Sequence, residues 1–287
     1  MSTPTAPTSA VYRWHEGALQ LLDYCDMTDT TIEAADSWLV TDGRTLALDL
    51  HRSRFLGAVD GGAVDGGAVD GGAVDGAATD SAAADGAAFW DAAIAAVPRE
   101  GDWFPRVELQ SRHGAGLLVF RLRSAPTLTR SVVVATHTGP DPRTRPTVKG
   151  PDLAAMSRIR TAVQPLGAEE AVILSPDGYV VEGAYSAIVW WRGAILCSPS
   201  PDLARIDSVT ARSLLGMATA LGVETYQESV TPAELDGCEV WALSALHGPR
   251  IITSWVQGPA MAALPGRLDL WRTRLSVLRR GLPALTN

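Results

Sequence analysis

Gly167-Ala-Glu-Glu-Ala-Val-Ile-Leu-Ser-Pro-Asp-Gly178-Tyr-Val-Val-Glu182-Gly183 has the pattern of two strands joined by a tight turn. Ala171 to Leu174 is an apolar run of strand length, Ser175-Pro-Asp-Gly178 carries the residues a tight turn requires, and Tyr179 to Glu182 returns as a second strand. The pattern continues downstream with Ala187-Ile-Val-Trp-Trp191, a turn at Arg192-Gly193, and Ala194-Ile-Leu-Cys197. This is a β-meander. Glu182 stands in it among Val180, Val181 and Ile188, so its carboxylate is either solvated at an edge or buried against a cationic partner.

Upstream, Asp152 stands where it can cap a helix that carries Leu153, Met156, Ile159 and Val163 on one face and ends near Gly167. Just before it lies Arg145-Pro-Thr-Val-Lys149-Gly-Pro-Asp152. Lys149 is the only lysine in a chain with 23 arginines. Both residue types supply positive charge, but a desolvated lysine loses its proton and attacks a carbonyl as a neutral amine, which arginine does not do. A lone lysine therefore points to amine chemistry, with a Schiff base first, or to nothing beyond a biased composition.

Downstream, Ser208-Val209-Thr210 opens a helix that runs to Leu221. A helix start is a good N-cap and also a place where free N–H groups favour a phosphate. Strands over 223–230, 239–245 and 250–255 follow, and an amphipathic helix from Leu268 to about Arg280 closes the chain as core packing.

The first part of the chain reads differently. Residues 1–10 are Thr, Pro, Ser and Ala and read as a disordered tail. Thr41-Asp42-Gly43-Arg44 is a hairpin turn between Ser37-Trp-Leu-Val and Thr45-Leu-Ala-Leu, and His51-Arg-Ser-Arg54-Phe starts a helix. Four copies of Gly-Ala-Val-Asp-Gly fill 57–76 and decay into an Ala/Asp/Gly tract, so 57–88 reads as a flexible insertion. Helical spacing resumes at Phe89-Trp90, and strands follow at 106–109, 116–122 and 131–135. The turn-rich segment 137–148 reads as a linker, which divides the chain into an N-terminal domain over 11–136 and a C-terminal domain over 149–287.

Composition narrows the partners. The net charge of −8 argues against nucleic acid or an anionic membrane surface, since both call for basic patches. Cys25, Cys197 and Cys238 are scattered, which indicates neither a disulfide framework nor a metal site. With no signal-like or membrane-length apolar run, the expectation is a cytoplasmic protein.

The order of these features, a lysine after a linker, a helix, a meander with D-G-x-x-x-E-G, and S-V-T at a helix start, resembles the class IV aminotransferase family, the fold-type IV pyridoxal-phosphate enzymes. Residues 167–183 are similar to its G-A-D-E-A…D-G-x-V-x-E-G signature, and the likeness spans about Leu39 to Thr253. It implies an α/β fold of two domains with pyridoxal 5′-phosphate between them, a homodimer, and a small amine substrate. On that resemblance Lys149 forms the Schiff base and moves protons. Glu182 pairs with the pyridine nitrogen, and Val209 and Thr210, with Ser208 beside them, hold the phosphate. Arg54 matches the family's H-x-x-R, whose arginine also contacts the phosphate. Ser244-Ala245-Leu246 falls where members place small groups near phosphate and substrate, and Ser37 falls near a pocket threonine. His51 and His247 read as local hydrogen-bonding groups. Arg106, Arg121 and Arg123 read as carboxylate clamps or as exposed strand arginines.

Within the family, Ala154 replaces a tyrosine and Ala187 an asparagine frequent in aminotransferases, while Ser244-Ala-Leu and Trp190-Trp191-Arg192-Gly193 resemble aminodeoxychorismate lyase. The leading expectation is a lyase of that kind. A branched-chain or D-amino-acid aminotransferase and a relative without catalysis are the competing ones.

Overall fold

A computed structural model describes residues 9–22, 30–62, 76–262 and 264–284. It divides into two compact units, Met1–Pro126 with Arg280–Asn287, and Thr127–Arg279. Both are mixed α/β and rich in sheet, the fold class expected.

The first unit holds β1 (Ser9–His15), β2 (Ala18–Leu21), β3 (Thr31–Ser37), β4 (Val40–Thr41), β5 (Arg44–Thr45), α1 (Leu48–Gly62), α2 (Gly76–Ala95), β6 (Asp102–Trp103), β7 (Arg106–Arg112) and β8 (Ala115–Arg123). Five strands form an antiparallel sheet in the order β2-β1-β8-β7-β3. Of the tail read over 1–10, residues 9 and 10 open β1, and the rest lie outside the described residues. The turn at Asp42-Gly43 has both residues at positive φ (47° and 67°), the type I′ geometry that joins β4 to β5. The returning strand stops at Thr45, because Ala47 at φ 47° redirects the chain into α1.

Trp38, Phe55, Phe89, Trp90, Val107 and Phe120 make the core, with the rings of Trp38 and Trp90 4.8 Å apart. Truncating one of these aromatic side chains to alanine costs about 3–5 kcal/mol. The two helices correct the expected limits of the insertion. Residues 57–62 continue α1 and 76–88 belong to α2, because alanine favours helix and the tract adjoins helices already anchored in the core. Gly86 lets α2 approach α1, since a Cβ there would stand 3.3 Å from Leu56 Cδ2. The rest of the repeat, 63–75, lies outside the described residues.

The second unit holds β9 (Ser131–Thr136), α3 (Leu153–Val163), β10 (Glu170–Leu174), β11 (Val180–Gly183), β12 (Ala187–Arg192), β13 (Ile195–Pro199), α4 (Val209–Ala220), β14 (Thr225–Glu228), β15 (Glu239–Ser244), β16 (Gly248–Val256) and α5 (Pro265–Val277). Its sheet has eight strands in the order β11-β10-β9-β16-β15-β12-β13-β14. The expected meander is present: β10 and β11 pair antiparallel through a turn with Gly178 at φ 84°, and β12 pairs with β13.

The division between units differs from the one read at 137–148. β9 pairs in parallel with both β16 and β10, so Val132 and Val134 are buried on one face and Ala135 on the other. A strand covered on both faces carries a continuous apolar run, and its parallel partners are distant in sequence. The C-terminus also departs from the expected limits: β17 (Arg280–Gly281) pairs with β5 and belongs to the first unit. α5 docks through buried Leu268, Trp271 and Leu275, with the rings of Trp191 and Trp241 meeting Trp271 at 5.3 and 6.3 Å.

Candidate active site

Glu182 is the centre of the second unit's polar chemistry. It sits near the end of β11 with 6% of its surface exposed, so the buried alternative is the one realised. Its cationic partner is Arg143, whose Nη1 donates to Glu182 Oε1. Arg143 is itself held by Asp141, with Nε 2.9 Å from Oδ1 and Nη2 2.7 Å from Oδ2, and Nη2 also donates to the Ala204 carbonyl at 3.1 Å. Burial pushes the Glu182 carboxyl up to about 7, against the opposing pull of Arg143, the Ile206 N–H and Lys149. Lys149 and Glu182 are therefore within electrostatic reach of each other. Sequence reading missed Arg143 and Asp141. Both lie in the segment read only as a linker, and their carboxylate partner is 39 residues after Arg143.

The lysine loop is held by a different carboxylate. Asp152 stands at the N-cap of α3 but makes no capping bond there. It accepts instead from Thr144 N (2.9 Å), Thr144 Oγ1 (2.8 Å) and Arg145 N (3.0 Å). The cap role is thus corrected to a loop anchor, because backbone donors of the preceding turn reach the carboxylate first. Gly150, at φ 135°, then turns the chain directly after Lys149 in a conformation that side chains rarely adopt.

The signature's Glu-Gly pair has a packing reason. Glu170 is buried at the start of β10 and accepts from Ala171 N (3.1 Å), Tyr185 N (3.3 Å) and Ser186 Oγ (3.2 Å). It thereby pins the turn that follows Glu182. A Cβ on Gly183 would fall 2.5 Å from Ser186 Oγ and 3.2 Å from Glu170 Cγ, so only glycine fits beside that buried carboxylate. Arg250, 6% exposed, lies 3.9 Å from Glu170 and balances its charge in part.

Ser208 caps α4, its Oγ accepting from Ala211 N at 3.3 Å, and Val209 and Thr210 are buried at the helix start. Because Ile206 donates to Glu182, the lead-in to α4 is tied to β11. α4 packs on β15, whose last residue, Ser244, accepts from His247 N at 3.1 Å across the turn that holds Ala245 and Leu246. His247 Nδ1 accepts from Thr129 N at 3.2 Å. Burial, with Arg250, Arg160 and Arg272 around it, pushes this imidazole down to about 4, so it stays neutral. A cavity of about 320 Å³ lies along the first turns of α4, bounded by Thr147, Ala187, Ser198, Ile206, Ser208 and Arg212.

The first unit carries Ser37 and Arg54. Asp36 Oδ2 accepts from Arg54 Nε and Asp36 Oδ1 from Arg54 Nη2, both at 2.8 Å, and His51 Nδ1 meets Oδ1 at 2.8 Å. Ser37 is buried, and its N–H donates to Asp36 Oδ1 at 2.7 Å. Arg106 and Arg121 converge on the buried Glu108, while Arg123 Nε donates to the Phe104 carbonyl at 3.1 Å.

The family description "Amino-transferase class IV" matches residues 33–255. The chain belongs to that family, the pyridoxal-phosphate enzymes to which the Glu182 signature pointed. Among solved structures, a fold IV-transaminase from Curtobacterium pusillum superposes with a TM-score of 0.68 at 16% identity over 94% of this chain and 97% of that one. A hypothetical aminotransferase from Mycobacterium tuberculosis in its PLP-bound form gives 0.68 at 17% identity, covering 94% and 98%. A putative 4-amino-4-deoxychorismate lyase from Legionella pneumophila gives 0.65 at 12% identity, covering 85% and 91%. In sequence, aminodeoxychorismate lyase from Bacillus subtilis (strain 168) is 36% identical over 55 residues, a match that spans 19% of this chain and 19% of that protein. No helix among the described residues is long and apolar enough to cross a membrane.

Proposed function

We propose that the chain is a pyridoxal-phosphate enzyme that releases pyruvate from 4-amino-4-deoxychorismate to give 4-aminobenzoate. The observation that carries the reading is the buried Glu182 carboxylate with Lys149 in electrostatic reach, in a chain of the class IV family.

The residues present fit the cofactor. A carboxylate with this burial suits a ring nitrogen that must keep its proton, and the buried start of α4 offers backbone donors and a positive dipole end to a phosphate. Lys149 would hold the cofactor, Glu182 would face its ring nitrogen, and Val209, Thr210 and Ser244 would hold its phosphate. When bound, the cofactor supplies an electron sink that acidifies the substrate carbon next to the amine. Lys149 would take the proton from that carbon as the base; the ring C–O bond to the enolpyruvyl group then breaks, the ring becomes aromatic, and the departing enolpyruvate takes up a proton to become pyruvate. Glu182 keeps the proton at the ring nitrogen in place. Homodimer formation, implied by the resemblance, and a cytoplasmic location, expected from the sequence, belong to this proposal.

The lyase is favoured by the short match to the Bacillus subtilis protein and by Ala154, Ala187 and Ser244-Ala245-Leu246. Transamination is the second reading, favoured by the Curtobacterium pusillum transaminase among the structural neighbours. Purified, cofactor-loaded protein is offered aminodeoxychorismate, then pairs of amino acids and 2-oxo acids. Formation of 4-aminobenzoate supports the lyase. Amino-group exchange without 4-aminobenzoate overturns it.

A further inference from the structure

We propose that Arg143, braced by Asp141, is the positioning residue that keeps Glu182 ionised and fixed in direction once the Lys149 amine is engaged. The inference rests on the cofactor reading above and assigns a role to a pair which that reading does not use.

The charges alternate from Asp141 to Arg143 to Glu182 through direct hydrogen bonds, with Lys149 in electrostatic reach of Glu182. A buried carboxylate surrounded by apolar strand neighbours stays charged only with cations close by. Among the described residues, three cations face Glu182. Arg143 and Lys149 come from the loop before α3, and Arg205 comes from the segment before α4. They are not equivalent. Arg205 directs its donors to backbone carbonyls, with Nη1 at 2.6 Å from Ser200 O and 2.9 Å from Leu203 O, and Nη2 at 2.8 Å from Pro199 O. Lys149 gives up its ammonium charge in the act that the reading assigns to it. Arg143 alone combines a direct hydrogen bond to Glu182 with a charge that no step removes.

Asp141 makes the arrangement directional. Its two oxygens take the Nε and Nη2 edge of the guanidinium in a fork, which leaves Nη1 aimed at Glu182 Oε1. Burial raises the Asp141 carboxyl, yet the hydrogen bonds from Arg143 win and hold it below its usual range, so it stays charged and keeps the fork closed. The Ala204 carbonyl fixes Nη2 from the other side.

The test reads the charge of Glu182 directly. In full-length, cofactor-free protein with isotope-labelled glutamate, the Glu182 carboxyl is followed by carbon NMR across pH. The expected midpoint is about 7 in the wild type. It moves up by about one pH unit or more in Arg143→Met, less in Asp141→Asn, and least in Lys149→Ala. Arg143→Lys recovers part of the shift, because the charge returns without the fork. A second readout is the pH dependence of the visible absorption of protein mixed with pyridoxal phosphate, whose transition moves in the same order. An unmoved Glu182 midpoint in folded Arg143→Met overturns the proposal. Should Arg143→Met fail to fold, an unmoved midpoint in Asp141→Asn does so. If the carboxyl midpoints shift as expected but no variant, nor the wild type, binds pyridoxal phosphate, Arg143 keeps its hold on Glu182 and the cofactor reading is what fails.

Discussion

Asp36 in the first unit and Glu182 in the second are both buried carboxylates facing an arginine, and they behave in opposite ways. Asp36 accepts two bonds from Arg54 and one from His51, and although burial raises its carboxyl, these partners hold it well below the usual range. Glu182 takes one side-chain bond from Arg143, and burial prevails, leaving it near 7. The number of direct charge-assisted bonds decides between a locked structural anion and one that responds to its surroundings. A carboxylate left poised in this way suits a site that must receive a further positive partner.

The largest effect should come from breaking the locked side. Asp36→Asn leaves Arg54 and His51 without their counter-charge in a buried setting, and urea denaturation should show a loss of about 3 kcal/mol or more. Because the carboxyl of Asp36 is depressed, its stabilisation is present above the ordinary carboxylate range and fades as pH falls toward its native value, so the variant's deficit should shrink in acid.

The poised side should show the reverse slope. The carboxyl of Glu182 is raised, so its contribution is fully present below its ordinary range near 4.5 and is lost as pH rises through about 7. The stability of cofactor-free Glu182→Gln relative to the wild type should therefore climb between pH 4.5 and 7 and then level off, gaining up to about 3 kcal/mol. A flat difference across that range would place Glu182 with Asp36 as a locked anion.

A smaller effect sharpens the comparison at the neighbouring residue. Gly183→Ala drives a Cβ toward Ser186 and Glu170, and thermal unfolding should register a loss of about 1–3 kcal/mol. Adding Ser186→Gly removes the 2.5 Å contact and should restore part of it.

The legible parts of this molecule were local. The Ser175-Pro-Asp-Gly178 turn, the strand that carries Glu182 and the Ser208 cap are each written within a few residues, and the structure forms all three. What escaped reading depends on distant partners. β9 read as part of the N-terminal domain, because nothing in Ser131-Val-Val-Val-Ala announces parallel pairing with residues 251–256. Arg143 and Asp141 looked like linker residues, since the carboxylate that gives them meaning lies 39 residues after Arg143. Arg54 was visible through its H-x-x-R spacing. Its counter-ion was not, because Asp36 reaches it only through the turn at 41–44 and the start of α1. The helical parts of the repeat were masked by their glycines, whose low propensity is outweighed by anchoring at Phe55, Phe89 and Trp90.

Lys149, the chain's one lysine, is the residue on which cofactor binding depends. Protein incubated with the cofactor is reduced with borohydride, digested and sequenced by mass spectrometry. The expected result is a phosphopyridoxyl group on Lys149, absent after Lys149→Ala. Folded wild-type protein that carries no such group on Lys149 would contradict it.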